Sequence, residues 1–308
     1  MKPGYLKLIE TGEMDERIKV LYKILESCKL CPRKCGVNRL KGEKGICRAG
    51  KNISVSSFFP HFGEEDVLVG KNGSGTIFLS NCNLRCVYCQ NYEISHLGMG
   101  KEYSEKEVAE MMLELQSIGC HNINLVTPTH YSPQLVKAIK IAGESGLELP
   151  IVWNCSGYEN VEIIKLLDGI VDIYMPDIKY GSNEGGKKYS FPPVTDYWDR
   201  CREAVKEMHR QVGDLKIDEN GLAFKGLLIR HLVLPNGISE SGKVLKFIAE
   251  EISPNSFVNI MPQYRPEGKV LLNPEKYPEL SRRISREEFE KAVKYAVKLK
   301  LTRGLYLA

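Results

Sequence analysis

From residue 76 onward, six short apolar stretches alternate with amphipathic ones, and this order restricts the fold more than any other feature of the chain. Thr76–Leu79, Asn122–Val126, Pro150–Asn154, Val171–Met175, Leu227–Leu234 and Phe257–Met261 read as strands, being apolar and bounded by turn residues. Between them lie helical stripes. One carries Val108, Met111, Met112 and Leu115 behind a Ser104/Glu107 capping box. A second opens at Ser132-Pro133, and a third spans Asn160 to Leu167. Thr195–Val212 and Ser241–Glu251 follow, and Ser285 with Glu288 caps the last. Strands that alternate with helices require crossover connections, hence a parallel sheet covered by helices. Six such units fall short of the closed eight-stranded barrel, so the expected class is α/β with an open, partial (β/α)6 barrel. Leu305–Leu307 reads as a short final strand.

The segment before the barrel has a different composition. Asp15–Ser27 reads as a helix, with Ile18, Leu21, Tyr22 and Leu25 on one face. It leads into a Cys- and Gly-rich stretch, then a strand pair expected at Ile53–Phe59 and Asp66–Val69. We therefore expect a Cys-rich N-terminal extension over residues 1–70 and a barrel with its C-terminal helix over 71–308. No apolar run reaches the length of a membrane span, and the first residues lack a secretory h-region. A net charge of +4, with no interleaved basic and aromatic run, argues against a nucleic-acid partner. Ten cysteines without a leader indicate metal binding in a reducing cytoplasm rather than a disulfide scaffold, and seven of them lie between positions 28 and 89.

Three of these, Cys82, Cys86 and Cys89, directly follow the first barrel strand, separated by three and then two residues. Four thiolates would close a zinc site or fill every corner of a cubane cluster, whereas three leave one iron open. The alternatives are a zinc site completed from elsewhere, or free thiols. With Tyr88 before the last cysteine and Thr76–Leu79 ahead of the loop, the motif resembles that of the radical S-adenosylmethionine (SAM) superfamily. The run from Gly73 to Asn91 is similar to the pyruvate formate-lyase activating enzyme-like branch.

That resemblance implies a [4Fe-4S] cluster on Cys82, Cys86 and Cys89, with SAM on its open iron. Reductive cleavage would then yield methionine and a 5′-deoxyadenosyl radical that takes a hydrogen atom from the substrate. It further implies an electron donor such as flavodoxin or ferredoxin, and a glycyl radical protein as the foremost substrate. Modification of a peptide or small molecule is the second reading, and a non-catalytic iron-sulfur or zinc-knuckle protein the third.

Parallel sheets bind ligands at the carboxyl ends of their strands. The second strand ends in Thr127-Pro128-Thr129-His130, where the superfamily has a Gly-Gly-Glu-like stretch, so either the backbone alone does that job or His130 and Thr127 substitute. The third ends with Asn154 in place of the family's acid, followed by Ser156 at a SAM-contacting position. On the fourth, Asp177 and Lys179 are two residues apart and face one side. On the fifth, Arg230 interrupts an apolar run and needs an anionic partner. Tyr88, Ser156, Asp177, Lys179 and Arg230 are thus the expected SAM-binding residues. The stretch Tyr180–Ser190, polar and rich in glycine, suggests a lid. Separately, Cys28, Cys31, Cys35 and Cys47 have a spacing able to close a metal knuckle, with zinc and an auxiliary iron-sulfur cluster as candidates and four unligated thiols as the alternative. Cys120 and Cys201 read as small core residues, and Cys155 stays open.

Overall fold

A computed structural model describes residues 2–305. In chain order its strands are β1 (Ile53–His61), β2 (Ser74–Leu79), β3 (Lys101–Tyr103), β4 (Ile123–Val126), β5 (Ile151–Cys155), β6 (Ile173–Pro176), β7 (Lys216–Ile217), β8 (Ala223–Leu232) and β9 (Phe257–Met261). The α-helices are α1 (Gly4–Glu10), α2 (Glu13–Ile24), α3 (Asp66–Val69), α4 (Glu105–Ile118), α5 (Ser132–Glu144), α6 (Val161–Leu166), α7 (Asn183–Tyr189), α8 (Tyr197–Val212), α9 (Ser241–Phe247), α10 (Gly268–Leu272) and α11 (Arg286–Lys298). Strands β2, β4, β5, β6, β8 and β9 pair in that order, all parallel. The fold is the open, partial (β/α)6 barrel. Beyond β2 the sheet continues through β1 and then β3, both antiparallel to their neighbours.

The helix signals act locally as the sequence suggests. Ser104 and Glu107 form a reciprocal capping box on α4, as do Ser285 and Glu288 on α11. Asn160 caps α6. Ser132 does not cap α5; its hydroxyl donates to the Thr129 carbonyl instead. On α4, the side chains of Val108, Met112 and Leu115 are fully buried against the sheet. Each such burial contributes about 1.5–3 kcal/mol.

Two further expectations are corrected. Asp66–Val69 is a turn of helix rather than a strand, and the real antiparallel partner of β1 is β2. Tyr180–Ser190 is not a free lid: it contains α7, whose glycines allow aromatic rings to approach. A Cβ on Gly185 would lie 2.4 Å from the Tyr180 ring, and one on Gly186 would lie 2.5 Å from the Tyr197 Cβ. The proposed final strand lies largely outside the described residues, since it runs through Tyr306 and Leu307. No helix among the described residues is long and apolar enough to cross a membrane.

The N-terminal segment is tied to the barrel's amino end by a buried acid. Asp172 accepts from the Gly4 amide at 3.1 Å and the Ile151 amide at 3.0 Å. Burial nevertheless outweighs these bonds and pushes its carboxyl up to about 6. The folded chain therefore retains a proton that the unfolded chain releases. Stability should fall as pH rises from the ordinary carboxyl range through about 6, then level off, a loss on the order of 3 kcal/mol. Urea unfolding across this window should show the slope in the wild type and its loss in Asp172→Asn.

Candidate active site

All six parallel strands point their carboxyl ends at one mouth, which holds a cavity of about 410 Å³. β2 delivers the loop from Ser80 to Asn91. The loop makes its sharp turns at Asn81 and Arg85, both in the left-handed region (φ 74° and 56°). Its backbone is pinned from several sides. The Val87 amide donates to the Tyr189 carbonyl at 2.9 Å, and the Phe191 amide to the Arg85 carbonyl at 2.9 Å. The Asn83 side chain donates to the Tyr158 carbonyl at 2.7 Å, and the Arg33 Nε to the Asn83 carbonyl at 2.5 Å. The stretch after α7 thus holds the cysteine loop instead of covering it.

Cys82, Cys86 and Cys89 all line the cavity, as do Tyr88, Ser156, Asp177, Lys179 and Arg230. The fold brings every expected SAM-site residue to one place. Asp177 is the centre of a buried charge network. Its Oδ2 accepts from Lys179 Nζ at 2.6 Å and its Oδ1 from Arg230 Nε at 2.7 Å. Arg230 also donates to Asn154 Oδ1 at 2.7 Å and to Glu64 Oε2 at 3.2 Å. Burial pushes the Asp177 carboxyl up, but Arg230 and Lys179 outweigh burial and hold it below its ordinary value. For Glu64 burial wins over Arg230, and the carboxyl is raised. Asn154 therefore serves here as a neutral acceptor for a guanidinium.

The thiols are sheltered. Burial pushes Cys86 up to about 12, opposed by the Lys179 ammonium. Cys89 is raised by burial, opposed by Ser95, whose hydroxyl donates to Cys89 Sγ at 3.1 Å. Ser95 Oγ also meets His96 Nδ1 at 2.9 Å. Tyr88 packs edge-on against Tyr180 and Tyr264, which fixes the loop beside its last cysteine.

Sequence reasoning missed Glu64, Ser95 and the structural use of Asn154. A usable signal existed for Glu64: the adjacent acids Glu64 and Glu65, together with a buried arginine that needs anions. His130 is placed elsewhere. It is buried away from this cavity, with Nε2 against the Ser80 carbonyl at 2.9 Å, so it cannot stand in for the family's Gly-Gly-Glu-like stretch; Thr127 does line the cavity. Cys155 lines the cavity wall, while Cys120 and Cys201 are buried.

A six-stranded parallel half-barrel with three thiols at its carboxyl mouth defines a cofactor-dependent α/β barrel enzyme. The sequence profile of the Radical SAM superfamily matches residues 76–222. An uncharacterized protein of Methanocaldococcus jannaschii is 35% identical over 306 residues, covering 96% of this chain and 82% of its own. A second uncharacterized protein of that organism is 26% identical over 196 residues, covering 58% of this chain and 56% of its own. The chain belongs to the radical SAM superfamily. Solved structures are more distant. A radical SAM methyltransferase from Sphaerobacter thermophilus is 14% identical with a TM-score of 0.47, covering 73% of this chain and 63% of that one. Methylornithine synthase is 16% identical with a TM-score of 0.44, covering 71% and 60%. The chain thus spans about 60% of these two proteins, a likeness too loose to bear on substrate.

The superfamily uses a [4Fe-4S] cluster and SAM, and the cavity fits both. Among the described residues no three His, Cys, Asp or Glu side chains converge on a site for a single ion. Three thiols set apart around a cavity suit a cluster, where each thiolate takes a different iron. Ser156 Oγ is buried at the cavity wall with no partner among the described residues, an open polar group for a ligand.

Proposed function

We propose that the protein cleaves SAM reductively on a cluster held by Cys82, Cys86 and Cys89, and that its substrate is a glycine in a polypeptide loop, as in a glycyl radical enzyme. When bound, the cluster and SAM supply one-electron cleavage to methionine and a hydrogen-abstracting 5′-deoxyadenosyl group. The chain's own share is binding and exclusion of water. Asp177, Lys179 and Arg230 form a preset charge frame for the polar ends of SAM. Ser156 offers an unpaired hydroxyl, and the Tyr88 backbone a surface for adenine. A small electron-transfer protein, flavodoxin or ferredoxin, would supply the electron.

The observation that carries the substrate reading is the rim. Leu97 and Met99, which follow the cysteine loop and cavity-lining Ser95, are 59% and 54% exposed, and the Ser80 hydroxyl at the carboxyl end of β2 donates to the Met99 carbonyl at 2.6 Å. An exposed apolar lip at the mouth of the reaction chamber suits a docking polypeptide more than a small, fully enclosed substrate. Anaerobic incubation with SAM, dithionite and a candidate protein deuterated at glycine should put deuterium into 5′-deoxyadenosine. Deuterium-free product in the presence of that protein would shift the reading to a peptide or small molecule. No 5′-deoxyadenosine at all would remove catalysis from the proposal.

Ser95 has a measurable place in this scheme. A hydrogen bond to a cluster thiolate favours the more negative, reduced state. Ser95→Ala should therefore lower the cluster's reduction potential, by about 60 mV for a tenfold change in a one-electron equilibrium. Redox titration followed by EPR reads this directly.

A further inference from the structure

The cysteine loop is flanked by cations that take no part in the SAM cavity. The N-terminal knuckle, which gathers Cys28, Cys31, Cys35 and Cys47 round one small cavity, reaches the loop through its arginines. Arg33 donates to the Asn83, Leu84 and Pro192 carbonyls at 2.5, 3.2 and 2.8 Å, and Arg48 to the His96 carbonyl at 3.2 Å. Arg85, in the loop itself and 8% exposed, donates to the Ile46 carbonyl at 3.3 Å. From the C-terminal side α10 brings Lys269, whose ammonium lies 3.5 Å from the centre of the Phe191 ring.

Helix α10 is fastened directly to the loop's backbone. The Lys269 and Val270 amides both donate to the Val87 carbonyl, at 2.7 and 3.3 Å. Gly268 makes this approach possible: its φ is +57°, and a Cβ there would lie 3.1 Å from the Val87 carbonyl oxygen and 3.3 Å from that of Cys89. Phe191 is tied to the same loop through its amide, which donates to the Arg85 carbonyl at 2.9 Å. Neither Phe191 nor any residue of α10 lines the SAM cavity. This surface therefore meets the cysteine loop from outside the reaction chamber.

Its charge is uncompensated. Among the described residues none of Arg33, Arg48, Arg85, Lys269 and Lys276 forms an ion pair with a carboxylate. Elsewhere on the molecule such cations are paired: Arg202 and Lys206 share Glu251, each at 2.7 Å, and Arg282 holds Glu288 at 2.9 Å. Glu267, just ahead of α10, is taken up by Arg265 at 2.8 Å, and residues 268–276 carry a single acid, Glu275. Burial, then the like charges of Arg85 and Lys276, hold the Lys269 ammonium below its ordinary value. At the centre of these cations stand exposed apolar side chains: Phe191 at 44%, Leu271 at 61% and Leu272 at 65%. An apolar centre with a rim of one sign is the anatomy of a docking surface.

We propose that α10 and Phe191, with the cations around them, dock an acidic flavodoxin that hands its electron to the cluster through the backbone of the cysteine loop. The inference rests on the reading that Cys82, Cys86 and Cys89 hold a cluster. Charge selects the partner, because an acidic surface supplies the anions that the cations lack. Position selects its task. A protein seated here is outside the hydrogen-abstraction chamber, yet only the loop's backbone separates it from the thiols, so it can exchange electrons but not atoms. One electron passes from the reduced flavin to the oxidised cluster, and no bond is made or broken. The flavin ring presents an apolar edge, which Phe191, Leu271 and Leu272 can receive. A surface this small suits the brief encounters of electron carriers.

Binding tests this without turnover. Calorimetric titration of the anaerobically reconstituted protein with an oxidised acidic flavodoxin should show an affinity that falls as salt rises. K269E/K276E should weaken it at least about tenfold at low salt and far less at high salt. L271S/L272S, which removes exposed apolar groups, should weaken it at both. No binding to the wild type, or wild-type affinity in K269E/K276E, would overturn the proposal. An acidic ferredoxin that binds more tightly than the flavodoxin would overturn the choice of a flavin carrier. Turnover adds a second readout. K269E/K276E should form 5′-deoxyadenosine at the wild-type rate with dithionite, a small reductant that needs no docking, and lose at least about nine-tenths of the flavodoxin-driven rate. Equal loss with both reductants would place these lysines in the site itself and overturn the proposal. No product from the wild type with dithionite would count against SAM cleavage alone, and the binding titration would still decide the docking surface.

Discussion

Replacing Asp177 with alanine is expected to cost about 3–5 kcal/mol of folding stability and to weaken SAM binding by at least about 30-fold. The reason is electrostatic. Asp177 is the shared anion of Lys179 and Arg230, and all three side chains are less than one-fifth exposed. Without it, Lys179 has no ion pair among the described residues, and Arg230 keeps Glu64 at 3.2 Å. The two cations would then repel across the space that receives the polar ends of SAM. Unfolding by urea measures the first effect, and the response of the cluster EPR signal to added SAM measures the second. The two readouts also separate binding from simple plugging. A variant that loses stability yet binds SAM like the wild type would make the network a salt-bridged stopper in the barrel mouth, with no part in cofactor recognition.

The same network shows what the sequence could and could not disclose. Period and turn chemistry are local, so the six parallel strands, the capping boxes and the cysteine loop were all legible. So was the pairing of Asp177 with Lys179, because a two-residue offset on a strand fixes the face. Arg230 declared its need for an anion by interrupting an apolar run. For Glu64 the adjacent acid Glu65 and the need of Arg230 were the signal, but nothing local joined the two: the contact spans 166 residues and comes from a loop with no periodic pattern. The misread segment next to it has the same origin. Asp66–Val69 is four residues long, and a run that short does not separate a turn of helix from a strand. In Tyr180–Ser190 the glycines looked like flexibility, whereas Gly185 and Gly186 make room for Tyr180 and Tyr197. His130 was read by its position at a strand end, but the chain turns after Thr127 and carries the ring out of the barrel cavity, among the cysteines of the N-terminal knuckle.

Cys86→Ala should do the reverse of Asp177→Ala: abolish SAM cleavage while changing the stability of the metal-free protein by only about 1 kcal/mol. Cys86 is 7% exposed, but its sulfur is a small apolar group in the absence of metal, and alanine fills most of its place. What orders the loop is backbone. Cys86 forms an antiparallel bridge with Ser190, flanked by the bonds of Val87 to Tyr189 and of Phe191 to Arg85. None of these involves the thiol. The loop is therefore built before metal arrives, and the cluster enters a site whose shape the segment after α7 and the Arg33 brace have already set. Two thiolates cannot hold a cluster that expects three, so 5′-deoxyadenosine formation and the SAM-responsive EPR signal should both vanish. Circular dichroism and urea unfolding of the metal-free variant should stay close to those of metal-free wild type. If Cys86→Ala instead unfolds the chain or melts residues 80–91, metal ligation and not the backbone frame is what shapes the loop, and the charge network at Asp177 would be organised around a site that does not exist until the cluster binds.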